Sequence, residues 1–251
     1  MKISVIIPVH NGEQTLERTV SSIMRQTFPI AEIFIILNNC TDNSHSLALE
    51  ISRLNQNIHV HVEDKQGAGA ARNRGLDLST GDLVAFCDCD DEWLPDKIET
   101  QVNIILATGA SFCCSSYNVC NSKEILRVQT VVSPLNYERL LNKAIVVGCS
   151  TVIIKRLDIG NIRFTNLKMR QDFVFFCEIL KRLLEQQKFG CIVEEPKVNY
   201  FVSNSSLSSN KFKAAMYQYL AYRKLGFGSI KSMTLCVKYA LAALKVRLIV
   251  N

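Results

Sequence analysis

Short apolar runs alternate with amphipathic stretches through the first hundred residues. Ile3 to Pro8, Ile33 to Leu37, Ile58 to Val62 and Asp82 to Cys87 have the length and apolar content of strands. Glu13 to Gln26, with Leu16, Val20, Ile23 and Met24 on the inward side, predicts a helix. Thr41 or Asp42 caps a second helix running to about Leu54, and Gly67 opens a third that ends near Ser79. Strand–helix alternation at this spacing predicts an α/β fold, with a mainly parallel central sheet flanked by helices. Ligands of such sheets bind outside the carboxyl ends of the strands. The polar turns there are Pro8 to Asn11, Asn38-Asn39, Gly67 to Arg74 and Asp88 to Asp91, so these are expected around one crevice.

Beyond residue 105, Ala110 to Ser116, Ser150 to Lys155 and Ile192 to Tyr200 predict more strands, and residues 173–186 a helix. The chain is thus expected to form one domain over residues 1–209, in halves 1–105 and 106–209. Residues 210–251 follow as a helical tail, about Lys211 to Leu225 and Ser229 to Val250, split by Gly226-Phe227-Gly228. A 251-residue chain that is 48% hydrophobic suits one large core. No leader is visible, and no uncharged apolar run reaches the ~18 residues of a spanning helix. Ten cysteines without paired CxxC spacings argue against zinc and for a reducing cytoplasm.

The net charge of +6 is concentrated in the tail, where Lys and Arg number eight from Lys211 onward and no acid occurs. Lys231, Lys238 and Lys245 recur every seven residues. A basic helix of this kind suits a membrane surface, although a solvated lysine stripe on a packed helix has the same spacing. Nucleic acid is not expected, because no aromatic-interleaved basic patch or zinc motif is present.

The candidate chemistry centres on Asp88-Cys89-Asp90-Asp91, which ends the fourth apolar run. Alternate residues of an extended segment face one way, so Asp88 and Asp90 can share one object. Two hard oxygen donors suit a Mg²⁺ or Mn²⁺ ion that also carries substrate phosphates. The plainer alternative is a polar turn before a helix capped by Asp96. Gly67-x-Gly69 opens a helix carrying Arg72, Asn73 and Arg74; helix N-terminal amides and arginines suit a diphosphate, although by itself the glycine pair more simply reads as a helix entry with surface arginines. No GxGxxG follows the first strand, so this is not the dinucleotide type.

Five stretches in this order resemble family 2 glycosyltransferases of the GT-A fold. They are Pro8-Val9-His10-Asn11, Cys40-Thr41-Asp42-Asn43-Ser44, Gly67 to Gly75, Asp88-Cys89-Asp90-Asp91 and Trp93-Leu94-Pro95-x-Lys97. The likeness is close over about 1–105, the nucleotide-sugar half, and looser over 106–209, the acceptor half. It implies transfer of a sugar from a nucleotide sugar, UDP-linked by preference, to an acceptor hydroxyl with inversion. The setting it implies is cell-surface polysaccharide or lipid-linked glycan synthesis. Asp88 and Asp90 would be the metal-holding pair, and Asp91 would lie beside them near the sugar. Pro8, His10, Asn11, Asn38, Asn39, Gly67, Arg72 and Asn73 would border the donor. Met169-Arg170-Gln171-Asp172 resembles the segment that carries the general base, which assigns that role to Asp172; an N-cap for the following helix is the alternative.

Three departures from the family pattern stand out. Leu37-Asn38-Asn39 replaces an acid pair, Gln171 replaces a glutamate, and Tyr200-Phe201-Val202-Ser203 lacks the Arg and His of the closing motif. These keep two other expectations open: a nucleotidyltransferase on a related scaffold, and a non-catalytic domain that binds nucleotide sugar. A lipid-linked acceptor would place the protein in the cytoplasm, peripheral to the inner face of the membrane.

Overall fold

The computed structural model describes residues 1–202 and 211–249, from 242 as backbone only. Strands β1 (Ile3–Val9), β2 (Glu32–Leu37), β3 (Ile58–Val62) and β4 (Leu83–Phe86) form a parallel block in the order β3-β2-β1-β4. Helices α1 (Leu16–Met24), α2 (Ser44–Arg53) and α3 (Ala68–Leu78) make the crossovers. Both faces are covered, which explains the nearly continuous apolar strands. Ile3, Val5, Ile7 and Val9 join one core cluster while Ile6 joins the other, and Ile33 and Ile35 oppose Phe34 and Ile36 in the same way.

Three expected details change. Met24 is exposed, because α1 ends there and turns its apolar side through Leu16, Val20 and Ile23. Helix α2 takes Asn43 as its cap position, not Thr41 or Asp42. The run Ser150 to Lys155 splits into a 3-10 turn, Cys149–Thr151, and a short strand β8 defined below.

After β4 come a two-residue strand β5 (Glu92–Trp93) and helix α4 (Lys97–Thr108). Strand β6 (Phe112–Cys120) forms a hairpin with β7 (Ile125–Gln129), and helix α5 (Tyr137–Leu141) follows. Then come β8 (Ile153–Lys155), α6 (Arg156–Ile159), α7 (Gln171–Glu185) and β9 (Gly190–Phe201). The parallel block is extended as β4-β8-β6-β9-β5; β8 runs antiparallel to both neighbours, and β6 and β9 are parallel. One sheet therefore carries both halves of the chain.

Helices α8 (Lys211–Lys224) and α9 (Ser229–Ile249) pack on this body. Tyr222 is buried, donates its hydroxyl to the Leu141 carbonyl at 3.0 Å and meets Phe173 edge-on. Ser232 and Leu235 of α9 are buried too. No helix among the described residues is long and apolar enough to cross a membrane.

Candidate active site

The acids lie in the turn between β4 and β5, at the carboxyl edge of the parallel block. Asp88 is half-buried and pairs with the guanidinium of Arg72, which reaches it from the first turns of α3. Arg72 is almost fully buried and lies 5.4 Å from the centre of the Phe164 ring. Burial works against its charge, but Asp88, through its charge and its hydrogen bond, together with other neighbours including Asp172, outweighs this and raises its pKa. The Asp90 side chain is open to solvent, yet loss of water around the carboxyl and then the Asp88 charge push its pKa up. Asp91 is buried, and burial first, then Asp88 and Asp90, raise its pKa well above the usual carboxylate range.

The turn is fastened from behind by Trp93 of the fifth motif and by side chains that carried no motif. The hydroxyl of Ser150 donates to the Asp91 carboxylate, and its oxygen accepts the Asp88 N–H at 3.0 Å. Trp93 donates its indole N–H to the Ser150 carbonyl at 2.9 Å. From α1, Thr19 donates to the carbonyls of Cys89 and Asp91, at 2.9 and 2.8 Å. Arg18 donates to the Asp90 carbonyl at 2.7 Å, and Ser22 accepts the Trp93 N–H at 3.1 Å. Thr19, Ser22 and Gln26 sit three and four residues apart, a polar row on a helix face. That row is the one sequence signal that pointed to them.

The other predicted residues gather at the same edge but divide by role. Pro8 is buried within β1. His10 donates from Nδ1 to the Asn38 carbonyl at 2.8 Å. Asn11 accepts the Thr41 N–H at 2.8 Å, tying the first two turns together. Asn11 and Asn39 both take left-handed φ values, 53° and 52°, which asparagine tolerates better than most residues. Asn38 is buried and its amide is turned into the chain. It donates to the carbonyls of Glu63 and Lys65, at 2.7 and 2.9 Å, and accepts the Gly67 N–H at 2.8 Å. Asn73 clasps Phe164 through both its main-chain groups, at 2.9 and 2.8 Å. In this geometry Asn38 and Asn73 shape loops, while Asn11, Asn39 and Gly67 remain exposed at the edge.

Asp172 is half-buried in the first turn of α7; the cap position is Arg170, so Asp172 is not an N-cap. Asp88, Asp91 and Asp172 all exert their charge on Cys149, and Asp91 and Asp172 on Tyr117. Charges from both halves of the chain therefore act on the same two neighbours. Gly69 is what lets α7 come this close: a Cβ there would lie 2.2 Å from Gln171 Oε1 and 2.9 Å from the Thr165 carbonyl.

The donor set suits a cation only in part. Asp88 and Asp90 offer hard oxygen, and Asp91 Oδ1 is buried without a partner. Among the described residues no group of three His, Cys, Asp or Glu side chains could hold a metal by itself. Such a pair fits an ion that arrives on phosphate oxygens. Cys87 is buried in the core and Cys89 is pushed up to about 12, by burial first, so neither thiol is a ready soft-metal ligand. The closing motif from Ser203 to Ser208 lies outside the described residues.

A parallel block edged by acids, with a second half bringing a carboxylate to the same crevice, is the architecture of a GT-A-like glycosyltransferase. Residues 4–160 match the model of glycosyl transferase family 2, and the chain belongs to that family. TuaG of Bacillus subtilis (strain 168), named provisionally as a teichuronic acid biosynthesis glycosyltransferase, is 32% identical over 98% of this chain and 97% of its own. WfgD of Escherichia coli, a UDP-Glc:α-D-GlcNAc-diphosphoundecaprenol β-1,3-glucosyltransferase, is 30% identical over 86% of this chain and 83% of its own. The fold is also that of S. aureus TarS 1-349 solved with UDP-GlcNAc. The TM-score is 0.74 at 16% identity, over 96% of this chain and 72% of that one.

Proposed function

We propose that this glycosyltransferase moves a sugar from a UDP-linked donor to a hydroxyl of a glycan or lipid-linked acceptor, with inversion and with Asp172 as general base. The observation that carries the reading is that α3 holds Asp88 through Arg72 and packs at Gly69 against Gln171, the residue before Asp172. Relatives support the substrate classes: WfgD is named for a UDP-glucose donor and a diphosphoundecaprenol-linked acceptor, and TarS was solved with UDP-GlcNAc.

In this reading Asp172 accepts the proton of the acceptor hydroxyl as its oxygen attacks the anomeric carbon. The bond from that carbon to the diphosphate breaks, and the nucleoside diphosphate leaves with the electron pair. Asp172 sits in the first turn of α7, at the positive end of that helix. Asp88 and Asp90 would hold Mg²⁺ or Mn²⁺, which when bound offsets charge on the leaving diphosphate. Arg72 pairs with Asp88 and orients its carboxylate. The edge formed by Asn11, Asn39 and Gly67 borders the nucleoside. A lipid-linked acceptor places the work at the cytoplasmic face of a membrane.

The test is sugar transfer from UDP-sugars, with and without EDTA, for the native chain and for Asp172→Asn and Asp90→Ala. Asp172→Asn is expected to lower kcat by ~10²–10⁴-fold while UDP with Mn²⁺ still raises the melting temperature. Unchanged transfer in both variants and in EDTA would sink the mechanism.

A further inference from the structure

We propose that α9 docks this protein on an anionic lipid bilayer and thereby holds the Asp172 end of the crevice against the membrane. The helix is apolar on two opposite sides. One side faces the protein: Ser232 and Leu235 are buried, and Leu235 belongs to the main core cluster. The other side shows Ile230, Met233, Val237 and Leu241 at 86%, 60%, 54% and 55% exposure. Their spacing of three, four and four residues puts all four on one stripe. The sequence repeats the interval at Leu244 and Leu248. Single exposed apolar residues are ordinary, but a continuous row along one helix marks an interaction surface.

Charge chooses the occupant. Lys231 and Lys238 are exposed and each follows a stripe residue directly, one 100° step around the helix. No acid occurs from Lys211 to Asn251. Helix α8 repeats the theme, with Phe212 and Met216 exposed near Lys213 and Lys224. A second copy docked through the same stripe in a symmetric pair would set lysine rows against lysine rows. An anionic bilayer instead covers the apolar row with acyl chains and meets the lysines with headgroups.

The inward side of α9 reaches the catalytic region. Tyr239 lies nearly opposite the stripe, with Lys143 Nζ 4.0 Å from its ring centre and the Arg170 guanidinium carbon 5.5 Å away. Arg170 is the residue from which α7 starts, two positions before Asp172. About one helix diameter, ~10 Å, therefore separates the stripe from the start of α7. The docking stands on α9 alone; its use in catalysis rests on the lipid-linked acceptor proposed above.

The experiment is co-sedimentation of the full chain with phosphatidylcholine vesicles, with and without phosphatidylglycerol. Fold and oligomeric state are followed by melting temperature and light scattering. The native chain is expected to partition onto phosphatidylglycerol vesicles. Val237→Glu with Leu241→Glu should abolish this without lowering the melting temperature, and Lys231→Gln and Lys238→Gln should each weaken it about fivefold. Equal partitioning of native chain and stripe variant overturns the proposal. So does a stripe variant that turns a dimer into a monomer while vesicle binding persists. Donor turnover measured without vesicles on the same samples reports separately on the glycosyltransferase mechanism, so loss of one reading is not mistaken for loss of the other.

Discussion

The Ser150 hydroxyl donates to the buried Asp91 carboxylate while its oxygen takes the N–H of Asp88, so one side chain spans the acidic turn. Asp91 has no second partner for its other oxygen. Ser150→Ala should therefore cost ~1–3 kcal/mol, the range for leaving a buried polar group unsatisfied. Urea titration measures it. The loss should shrink in an Asp91→Asn background, because the two residues share one interaction; an equal loss in both backgrounds would rule out the pairing.

Gly69 supports a second prediction. In Gly69→Ala the new methyl meets Gln171 Oε1, which can swing away, and the Thr165 carbonyl, which cannot. Overpacking of this kind costs ~1–3 kcal/mol. The start of α7 should shift with it, so kcat should fall further than the melting temperature suggests. Adding Gln171→Ala should not restore activity, since the carbonyl remains.

Lys97 gives the pH dependence. It is fully buried, its ammonium lies 4.0 Å from the Trp93 ring centre, and it donates to Gln101 at 2.8 Å. Burial lowers its pKa from 10.5 to about 7. The folded state thus binds this proton less readily than the unfolded chain. The stability Lys97 contributes is complete above its unfolded pKa and is lost as pH falls toward 7. Urea midpoints of the native chain should rise relative to Lys97→Met between pH 7 and 10, with a constant gap below pH 7. Parallel curves across that range would refute the shift.

Phe201 stands where the closing motif described above would place arginine, and the Arg18 guanidinium lies 4.0 Å from its ring centre. Restoring the family residue by Phe201→Arg should set two cations together and remove a contact of ~0.5–1 kcal/mol. The expected result is a less stable protein, partly rescued by Arg18→Gln. A double-variant cycle on melting temperature checks it.

The parallel block and its turns were legible because the apolar runs and the five motifs occur in order along a short stretch of chain. Strand β8 was less so. Its β-branched residues continue those of Thr151 and Val152, and nothing local marks the 3-10 turn that frees Ser150 to bond Asp91. Thr19 and Ser22 act on groups about seventy positions away in sequence, so only the interrupted apolar face of α1 hinted at them. Asn38 was placed at the right turn, but the direction of its amide depends on Glu63, Lys65 and Gly67, which the fold alone brings near.

Thr19 holds two carbonyls of the acidic turn and Arg18 a third, all from one rigid helix. The aspartates are thus preorganised: their backbone is set before any ligand arrives. Little conformational freedom remains in the turn to be surrendered on association.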